Sequence, residues 1–188
     1  DTITFTPTTV DVSCPVGADG QIDFGAVTGG DGGPYQYSID GGATFQAGAT
    51  FTGLTSGTYD LVAMDGNNCL GATSVTINEP APWDVVVNST NLTCFQNATG
   101  FIQVVAGGAT GPYNYDLSGT PSGTGIYAAL DAGNYNITVT DANLCTFTTT
   151  QLLTEPADLT ATYAGTDALC NGSADGEIDV TANGGTLP

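Results

Sequence analysis

An alternation of apolar and polar residues occurs twice in the chain, in two stretches that share a length and a pattern. The first reads GTYDLVAMDGNNC from Gly57 to Cys69, and the second reads GNYNITVTDANLC from Gly133 to Cys145. In each stretch a tyrosine and two apolar residues fall at every second position on one face, which predicts a half-buried strand. Each run ends in Asp-x-Asn, a composition typical of a tight turn. We therefore interpret both stretches as the central strand of a small β-sandwich.

Other elements recur around this strand in a fixed order. Three extended segments rich in Thr, Val or Ala end in a cysteine: Ile3–Cys14, Trp83–Cys94 and Leu159–Cys170. Each is followed by a Gly-x-Ile strand that leads to a Gly-Gly pair, at Gly29–Gly30, Gly107–Gly108 and Gly184–Gly185. The first two copies continue with Pro-Tyr-x-Tyr and close on Glu-Pro, at Glu79 and at Glu155. The chain is therefore built from repeats.

The repeat is about 76 to 80 residues long and holds six or seven short strands. Gly and Thr are abundant and no amphipathic helical pattern occurs, so the sequence predicts an all-β chain of tandem immunoglobulin-like (PKD-like) Greek-key β-sandwich domains. We expect a first repeat at 1–80, a second at 81–156, and the first strands of a truncated third at 157–188. The proline after each junction glutamate predicts a stiff crossing from one repeat to the next.

All ionisable side chains except the thiols and phenols carry charge of one sign. The 188 residues include no Lys, Arg or His and 19 Asp and Glu, which gives a formal net charge of −19. A nucleic-acid partner is excluded because binding it requires cations that displace counterions, and an anionic membrane would repel the chain. No histidine is present for a Ser-His-Asp or Cys-His centre. No apolar run is long enough to span a bilayer, so we expect no direct membrane insertion.

The ordered motifs resemble a known family. The succession of Cys, Gly-x-Ile, Gly-Gly, Pro-Tyr-x-Tyr, Gly-x-Tyr, Asp-x-Asn-x-Cys and Glu-Pro is similar to the SprB repeat, over both full copies and the start of the third. The resemblance implies a very large cell-surface adhesin of gliding Bacteroidota, exported by the type 9 secretion system. Such repeats commonly carry Asp-Ala-Asn-Gly-Cys, and this chain departs from it at Asp65–Cys69 and Asp141–Cys145.

Five cysteines, Cys14, Cys69, Cys94, Cys145 and Cys170, are the first candidate site residues. In a small strand-rich chain they indicate an oxidising compartment, where a crosslink typically contributes ~2–4 kcal/mol. Buried free thiols are the alternative. The spacing lacks the close cysteine pairs of a zinc site.

Two disulfide patterns are open. Pairing within each repeat would join Cys14 to Cys69 and Cys94 to Cys145. In an immunoglobulin-like order, however, Cys14 lies where the last strand leaves the sandwich and Cys69 lies at the opposite end, roughly 30 Å away. A disulfide needs Cα atoms within about 7 Å. This topology predicts a Cys14–Cys145 bond between repeats, with Cys69 pairing to a preceding repeat and Cys94 to the rest of the third.

Carboxylates near turns and junctions are the second candidate site. Glu79 and Glu155 lie at the junctions, Asp141 and Asn143 in the loop before a cysteine, and Asp19 before the second strand. Oxygen ligands of this kind suit Ca²⁺, although the spacing matches no EF-hand or RTX loop. Solvating charges and turn formers are the alternative interpretation, and we expect no other cofactor.

Tyrosines and modification signals complete the candidates. The tyrosines could line a sugar site, but more often such residues are core and corner residues of a sandwich. Formal N-glycosylation sequons begin at Asn88, Asn91, Asn97, Asn136 and Asn171. Thr2, within Asp1-Thr2-Ile3, resembles a short O-glycosylation motif of Bacteroidota.

These observations predict an extracellular, cell-surface stalk or filament segment that acts as a mechanical spacer in adhesion or gliding. The alternative is a glycan-binding adhesin module that recognises its ligand through exposed loops. The expected partners are neighbouring repeats of the same chain, surface glycans and other adhesin chains. An enzyme is the third class, and it would need two acids facing each other across a cleft.

Overall fold

The computed structural model describes residues 2–186, in which every regular element is a β-strand. The chain forms two compact units. One comprises the chain up to Asp84 with Gly107–Tyr113 and Thr140–Cys145, and the other comprises Val85–Ala106, Asn114–Val139 and the chain from Thr146 onward. No helix among residues 2–186 is long and apolar enough to cross a bilayer.

The first unit contains two three-stranded antiparallel sheets, β1-β2-β4 and β3-β5-β6. Their strands are β1 Thr8–Val10, β2 Gly20–Asp23, β3 Gln36–Ser38, β4 Thr50–Leu54, β5 Gly57–Met64 and β6 Leu70–Ile77. Ile22 of one sheet and Leu61 and Ile77 of the other are almost completely buried in one core. Because alternate residues of a strand point to the same face, this core uses the apolar positions that the alternation predicts.

Strand β5 differs from the prediction at one position. Val62 faces away from Leu61 and Ala63, yet all three are buried. The loop after β3 lies on that second face, where the backbone of Gly42 approaches the Val62 side chain. The local pattern predicts a solvated face here, and a loop from elsewhere in the unit covers it.

The next strands repeat this arrangement. They are β7 Asp84–Thr90, β8 Gly100–Gly107, β9 Asn114–Leu117, β10 Thr120–Ser122, β11 Ile126–Leu130, β12 Gly133–Thr140 and β13 Thr146–Leu153. Their sheets, β11-β8-β7 and β10-β9-β12-β13, match the two sheets above strand for strand, with β10 added at one edge. Ile102, Ile137 and Leu153 form the corresponding core of the second unit and are at most 1% exposed. The prediction of β-sandwich repeats is confirmed.

The division of strands between the sheets follows a recognisable order. Strands 1, 2 and 4 share one sheet and strands 3, 5 and 6 share the other, as the A-B-E and C-F-G strands do in immunoglobulin constant-type domains. The immunoglobulin-like label and the repeat boundaries stay predictions.

The third copy of the pattern is a two-stranded antiparallel ribbon. Strands β14 Thr160–Thr166 and β15 Glu177–Asn183 pair along their full length, and every residue in them is exposed. Ile178 occupies the position of Ile22 and Ile102 in the Gly-x-Ile motif, but it is 72% exposed whereas both counterparts are fully buried. The ribbon therefore presents a core face that nothing among residues 2–186 covers. Leu187 and Pro188, the end of the predicted third repeat, lie outside the described residues.

The two ends of the first sandwich separate its two cysteines. The amide of Val12, just before Cys14, donates a hydrogen bond of 2.9 Å to the carbonyl oxygen of Asn78, just past the last strand. At the other end, Gly71 follows Cys69 and lies against Ile3, where the chain enters the sandwich. Cys14 and Cys69 thus occupy the opposite ends that the topology predicts.

Candidate functional site: a disulfide-closed joint

The first unit contains a disulfide between Cys14 and Cys145, with an S–S distance of 2.01 Å and Cα atoms 5.6 Å apart. It joins the end of the first strand region to a loop from the second sequence repeat. Of the two open patterns, the Cys14–Cys145 pairing is confirmed and the pairings Cys14–Cys69 and Cys94–Cys145 are wrong. Among the described residues, Cys69, Cys94 and Cys170 are exposed free thiols.

A buried aspartate organises the loop that carries Cys145. Asp141 is 1% exposed, and its Oδ1 accepts hydrogen bonds from the amides of Asn143 at 2.9 Å and Cys145 at 2.8 Å. Its Oδ2 accepts the amide of Thr110 at 3.1 Å. Three amide donors compensate for the loss of water around a buried carboxylate. The loop is therefore held in one shape, and the sulfur atom of Cys145 lies at a fixed point.

The first repeat builds the same loop around Asp65. Asp65 is 2% exposed, and its carboxylate accepts the amides of Asp31, Asn67 and Cys69, each at 2.9 Å. These bonds, led by the one from Asp31, hold the pKa of Asp65 below its ordinary value because they stabilise the ionised form. The negative charge of Asp65 in turn raises the pKa of the Cys69 thiol. Cys69 thus occupies the loop setting of Cys145, but with a free thiol.

An asparagine links the Cys145 loop to the segment after β1 that contains Cys14. The side-chain amide of Asn143 donates to the carbonyl oxygen of Ser13 at 2.9 Å and to the hydroxyl of Thr110 at 3.3 Å. The backbone amide of Ala142 also donates to the Thr110 carbonyl at 2.9 Å. One side chain therefore bridges the strand end and the turn at Thr110 beside the disulfide. We call the set of Ser13, Cys14, Thr110, Asp141, Asn143 and Cys145 the cysteine joint.

The strand-end loop that carries Cys14 is fixed by acidic side chains. Asp19 accepts hydrogen bonds from the amide and the hydroxyl of Ser13, and these bonds lower the pKa of Asp19. Glu79 accepts the amide of Val16 at 2.8 Å. Val16 has a φ of 55°, a conformation that β-branched residues rarely adopt, so the glutamate bond holds a loop that the backbone alone would not favour.

The second repeat keeps this loop, although one of the two acidic acceptors is replaced. Glu155 accepts the amide of Gln96 at 2.7 Å, and Gln96 has a φ of 50°. Thr99 takes the place of Asp19 and accepts the amide of Thr93 through its hydroxyl at 3.1 Å. The loop geometry around Cys94 therefore matches the geometry around Cys14, although Cys94 is free.

The five candidate calcium ligands are used as hydrogen-bonding groups within these loops. Glu79, Glu155, Asp19 and Asp141 accept backbone amides, and Asn143 donates its side-chain amide. Within residues 2–186, no cluster of three or more His, Cys, Asp or Glu side chains is arranged to hold a metal ion. Calcium prefers six to eight oxygen ligands. The carboxylate oxygens of these residues accept backbone N–H groups instead, and Asn143 uses its side-chain N–H, so the residues present fit calcium poorly. The calcium hypothesis stays a prediction that chelation tests.

Four tyrosine hydroxyls donate hydrogen bonds to backbone carbonyl oxygens. Tyr59 and Tyr135 donate to carbonyl oxygens four residues upstream, at 2.9 and 3.0 Å, which is the arrangement of a tyrosine corner. Tyr35 and Tyr113 donate to the carbonyl oxygens of the Gly29 and Gly108 turns. These four hydroxyls support the backbone of the loops that they contact.

The predicted modification sites are accessible. Thr2 is exposed, and so are the sequon asparagines Asn88, Asn91, Asn97, Asn136 and Asn171. Asp1, the first residue of the O-glycosylation motif, lies outside the described residues. Glycosylation stays a prediction.

The Gly-Gly pairs align differently in the structure from the way they align in the sequence. Gly29, Gly108 and Gly184 are equivalent: each has φ between 72° and 93°, and a Cβ would overlap the carbonyl oxygen of Thr2, Pro82 or Asp158. The sequence pairs Gly107 with Gly29, which is wrong by one position. Only the first residue of each pair has to be glycine, because its backbone lies close to another backbone segment. The residue after it is Gly30 in the first repeat and Ala109 in the second.

The fold and the joint define a class: an all-β protein of tandem sandwich repeats in which a disulfide connects one repeat to the next. A protein-family model described as the SprB repeat matches residues 6–44, 86–121 and 162–188, which together make up more than half of the chain. The chain belongs to the SprB repeat family. This family forms repeat regions of cell-surface, adhesin-like proteins. A search of curated proteins found no match.

Proposed function

We propose that this chain is a mechanical spacer in the extracellular stalk of a cell-surface adhesin used for adhesion or gliding, and that it has no enzymatic role. The observation that carries the proposal is the Cys14–Cys145 bond, which spans 131 positions of the sequence. A covalent bond at this place keeps the enclosed chain from being drawn out when tension is applied to the ends.

Single-molecule force spectroscopy tests this proposal directly. An unfolded residue contributes about 3.3–3.6 Å of contour length, so the disulfide should conceal roughly 450 Å of extension between residues 14 and 145. Pulled from its ends, the oxidised chain should lack this length, and the Cys14→Ser/Cys145→Ser variant should recover it. Cys69→Ser is the matched control, because Cys69 is an exposed free thiol, and it should behave as the wild type. Equal extension of oxidised and double-mutant chains would contradict a spacer reinforced at the joint.

Glycan binding is the second candidate and is tested separately. The internal use of the four tyrosine hydroxyls described above favours the spacer over a sugar site. On a glycan array, the chain should give no saturable signal. Saturable binding to a defined glycan, lost on substitution of a single exposed loop, would favour the adhesin-module alternative.

A further inference from the structure

The second unit contains a cavity beside the free thiol of Cys94. Its volume is about 350 Å³, and Thr93, Cys94, Leu159, Gly185 and Thr186 are among the residues that line it. The cavity lies between the strand-end loop of the second repeat and the turn that follows β15 in the third. Both parts of its wall have counterparts in the cysteine joint.

The first part of the wall corresponds to Ser13 and Cys14. Thr93 and Cys94 occupy the same positions in the second repeat, and their loop is held by the same two amide bonds. The amide of Thr93 is accepted by Thr99, and the amide of Gln96 by Glu155. The carbonyl oxygen of Ser13 accepts the side chain of Asn143 in the first unit, whereas no side chain among residues 2–186 donates a hydrogen bond to the carbonyl oxygen of Thr93.

The second part corresponds to the turn at Thr110. The amide of Gly185 donates to the carbonyl oxygen of Ala157 at 2.9 Å, as the amide of Ala109 donates to Ala81 at 2.7 Å. Thr186, the next residue, therefore stands where Thr110 stands in the cysteine joint. The two groups that Asn143 bridges in the first unit are thus both present around the cavity, without the bridging loop.

The β14-β15 ribbon shows what kind of segment would bring that loop. Ile178 and Val180 are 72% and 66% exposed, while their counterparts in the first unit, Ile22 and Phe24, are buried by the sheet that contains β5. In both complete repeats the strand that covers these positions leads directly into the Asp-x-Asn-x-Cys loop. A sheet placed on the ribbon would bring such a loop to the cavity.

We propose that the cavity beside Cys94 is a docking site for the Asp-x-Asn-x-Cys loop of the SprB repeat whose second sheet covers β14 and β15. The loop cysteine forms a disulfide with Cys94, and the loop asparagine bridges the Thr93 carbonyl oxygen and the Thr186 hydroxyl. Two thiols each lose a proton and together give two electrons to a disulfide oxidant, such as oxidised glutathione, which is reduced to two thiols. Cys69 is itself the cysteine of an Asp-x-Asn-x-Cys loop, so the same kind of pairing joins it to the strand-end cysteine of another repeat.

The decisive experiment extends the full chain by a second copy of residues 113–156, which completes the third repeat because Pro188 aligns with Pro112. After oxidation with a glutathione redox buffer, peptide mapping under non-reducing conditions should find Cys94 bonded to the added copy of Cys145. Cys94 should then be protected from alkylation, while Cys69 and Cys170 remain reactive. Serine at the added cysteine should restore alkylation of Cys94. A folded extension that leaves Cys94 free, or bonds it to Cys170, would overturn the proposal.

A second measurement covers an extension that fails to fold. A peptide of residues 138–146, with Cys145 activated as a thionitrobenzoate mixed disulfide, is added to the unextended chain. Cys94 should react at least ~10-fold faster than Cys170, a preference of about 1.4 kcal/mol, and a scrambled peptide should show no preference. Equal rates at the two thiols with the native peptide would also overturn the proposal. Neither readout depends on the mechanical role, because both measure only which thiols pair.

Discussion

Removal of the Cys14–Cys145 bond should destabilise the protein strongly. The bond closes a loop whose ends are 131 positions apart, and it acts mainly by restricting the unfolded chain. Because the bond joins two sequence repeats, its full effect should appear when both unfold together.

The size of the effect follows from loop-closure entropy. For a closed loop of this length, the chain-entropy relation gives about 5 kcal/mol at 25 °C. For a chain of 150–250 residues, each 1 kcal/mol changes Tm by about 2–4 °C. The Cys14→Ser/Cys145→Ser variant should therefore melt roughly 10–20 °C below the oxidised wild type. Loss of the hydrogen bonds around Asn143 adds to the effect if the loop becomes free to move.

Thermal and urea unfolding, followed by circular dichroism, would measure the difference. Cys69→Ser serves as the control, because Cys69 is exposed and forms no disulfide. Substitution of such a surface residue usually changes the free energy of unfolding by no more than ~0.5 kcal/mol. Reduction of the wild type should reproduce the double mutant. Equal melting of the oxidised wild type and the double mutant would refute the entropic reasoning, and a peptide map showing Cys14–Cys69 would refute the pairing itself.

Four further predictions follow from the structure. Added NaCl should raise Tm at neutral pH, because all charged side chains repel one another and salt screens them; a Tm that falls with salt would contradict this. Chelation with EDTA should leave Tm unchanged relative to added calcium, and a clear decrease would support a calcium site. Gly108→Ala should cost more than about 1 kcal/mol in urea unfolding because of its positive φ and the overlap with Pro82, whereas Gly133→Ala, which has open space around it, should cost less. Asp65→Asn should speed alkylation of Cys69 near pH 8, because the Asp65 charge raises the thiol pKa and keeps the thiolate scarce; the other free thiols report whether the effect is local.

Much of the fold could be predicted from the sequence because the buried positions alternate along single strands. Leu61, Ile137 and Val139 lie where the alternation places them. Strand β10 could not be predicted in this way: it has three residues, includes Pro121, and forms by pairing at the edge of β9. The burial of Val62 also depends on a loop distant in sequence. The alternation of residues along a strand predicts which side chains are buried when the sheet alone covers them. It does not predict the burial or pairing that depends on a segment distant in sequence.

The disulfide could be predicted because strand order fixes the end of the sandwich at which each cysteine lies. The role of Asp65 and Asp141 could not be predicted, because Asp-x-Asn is an ordinary turn composition. Their burial depends on amide donors 34 and 31 positions away, at Asp31 and Thr110. The sequence pattern predicts a turn, but it does not predict which distant backbone amide will donate a hydrogen bond to the aspartate of that turn.

The location of Cys14 and Cys69 at opposite ends of one sandwich also determines when oxidation should occur. A chain made from its N-terminus exposes Cys14 and then Cys69, well before Cys145 exists. Oxidation at that stage, in an unfolded chain, would join the wrong pair. Once the first sandwich has folded, its own strands keep these two thiols apart, and Cys14 waits for a partner from the following repeat. Correct crosslinking therefore depends on each repeat folding before an oxidant reaches it, and the folded sandwich itself selects the partner.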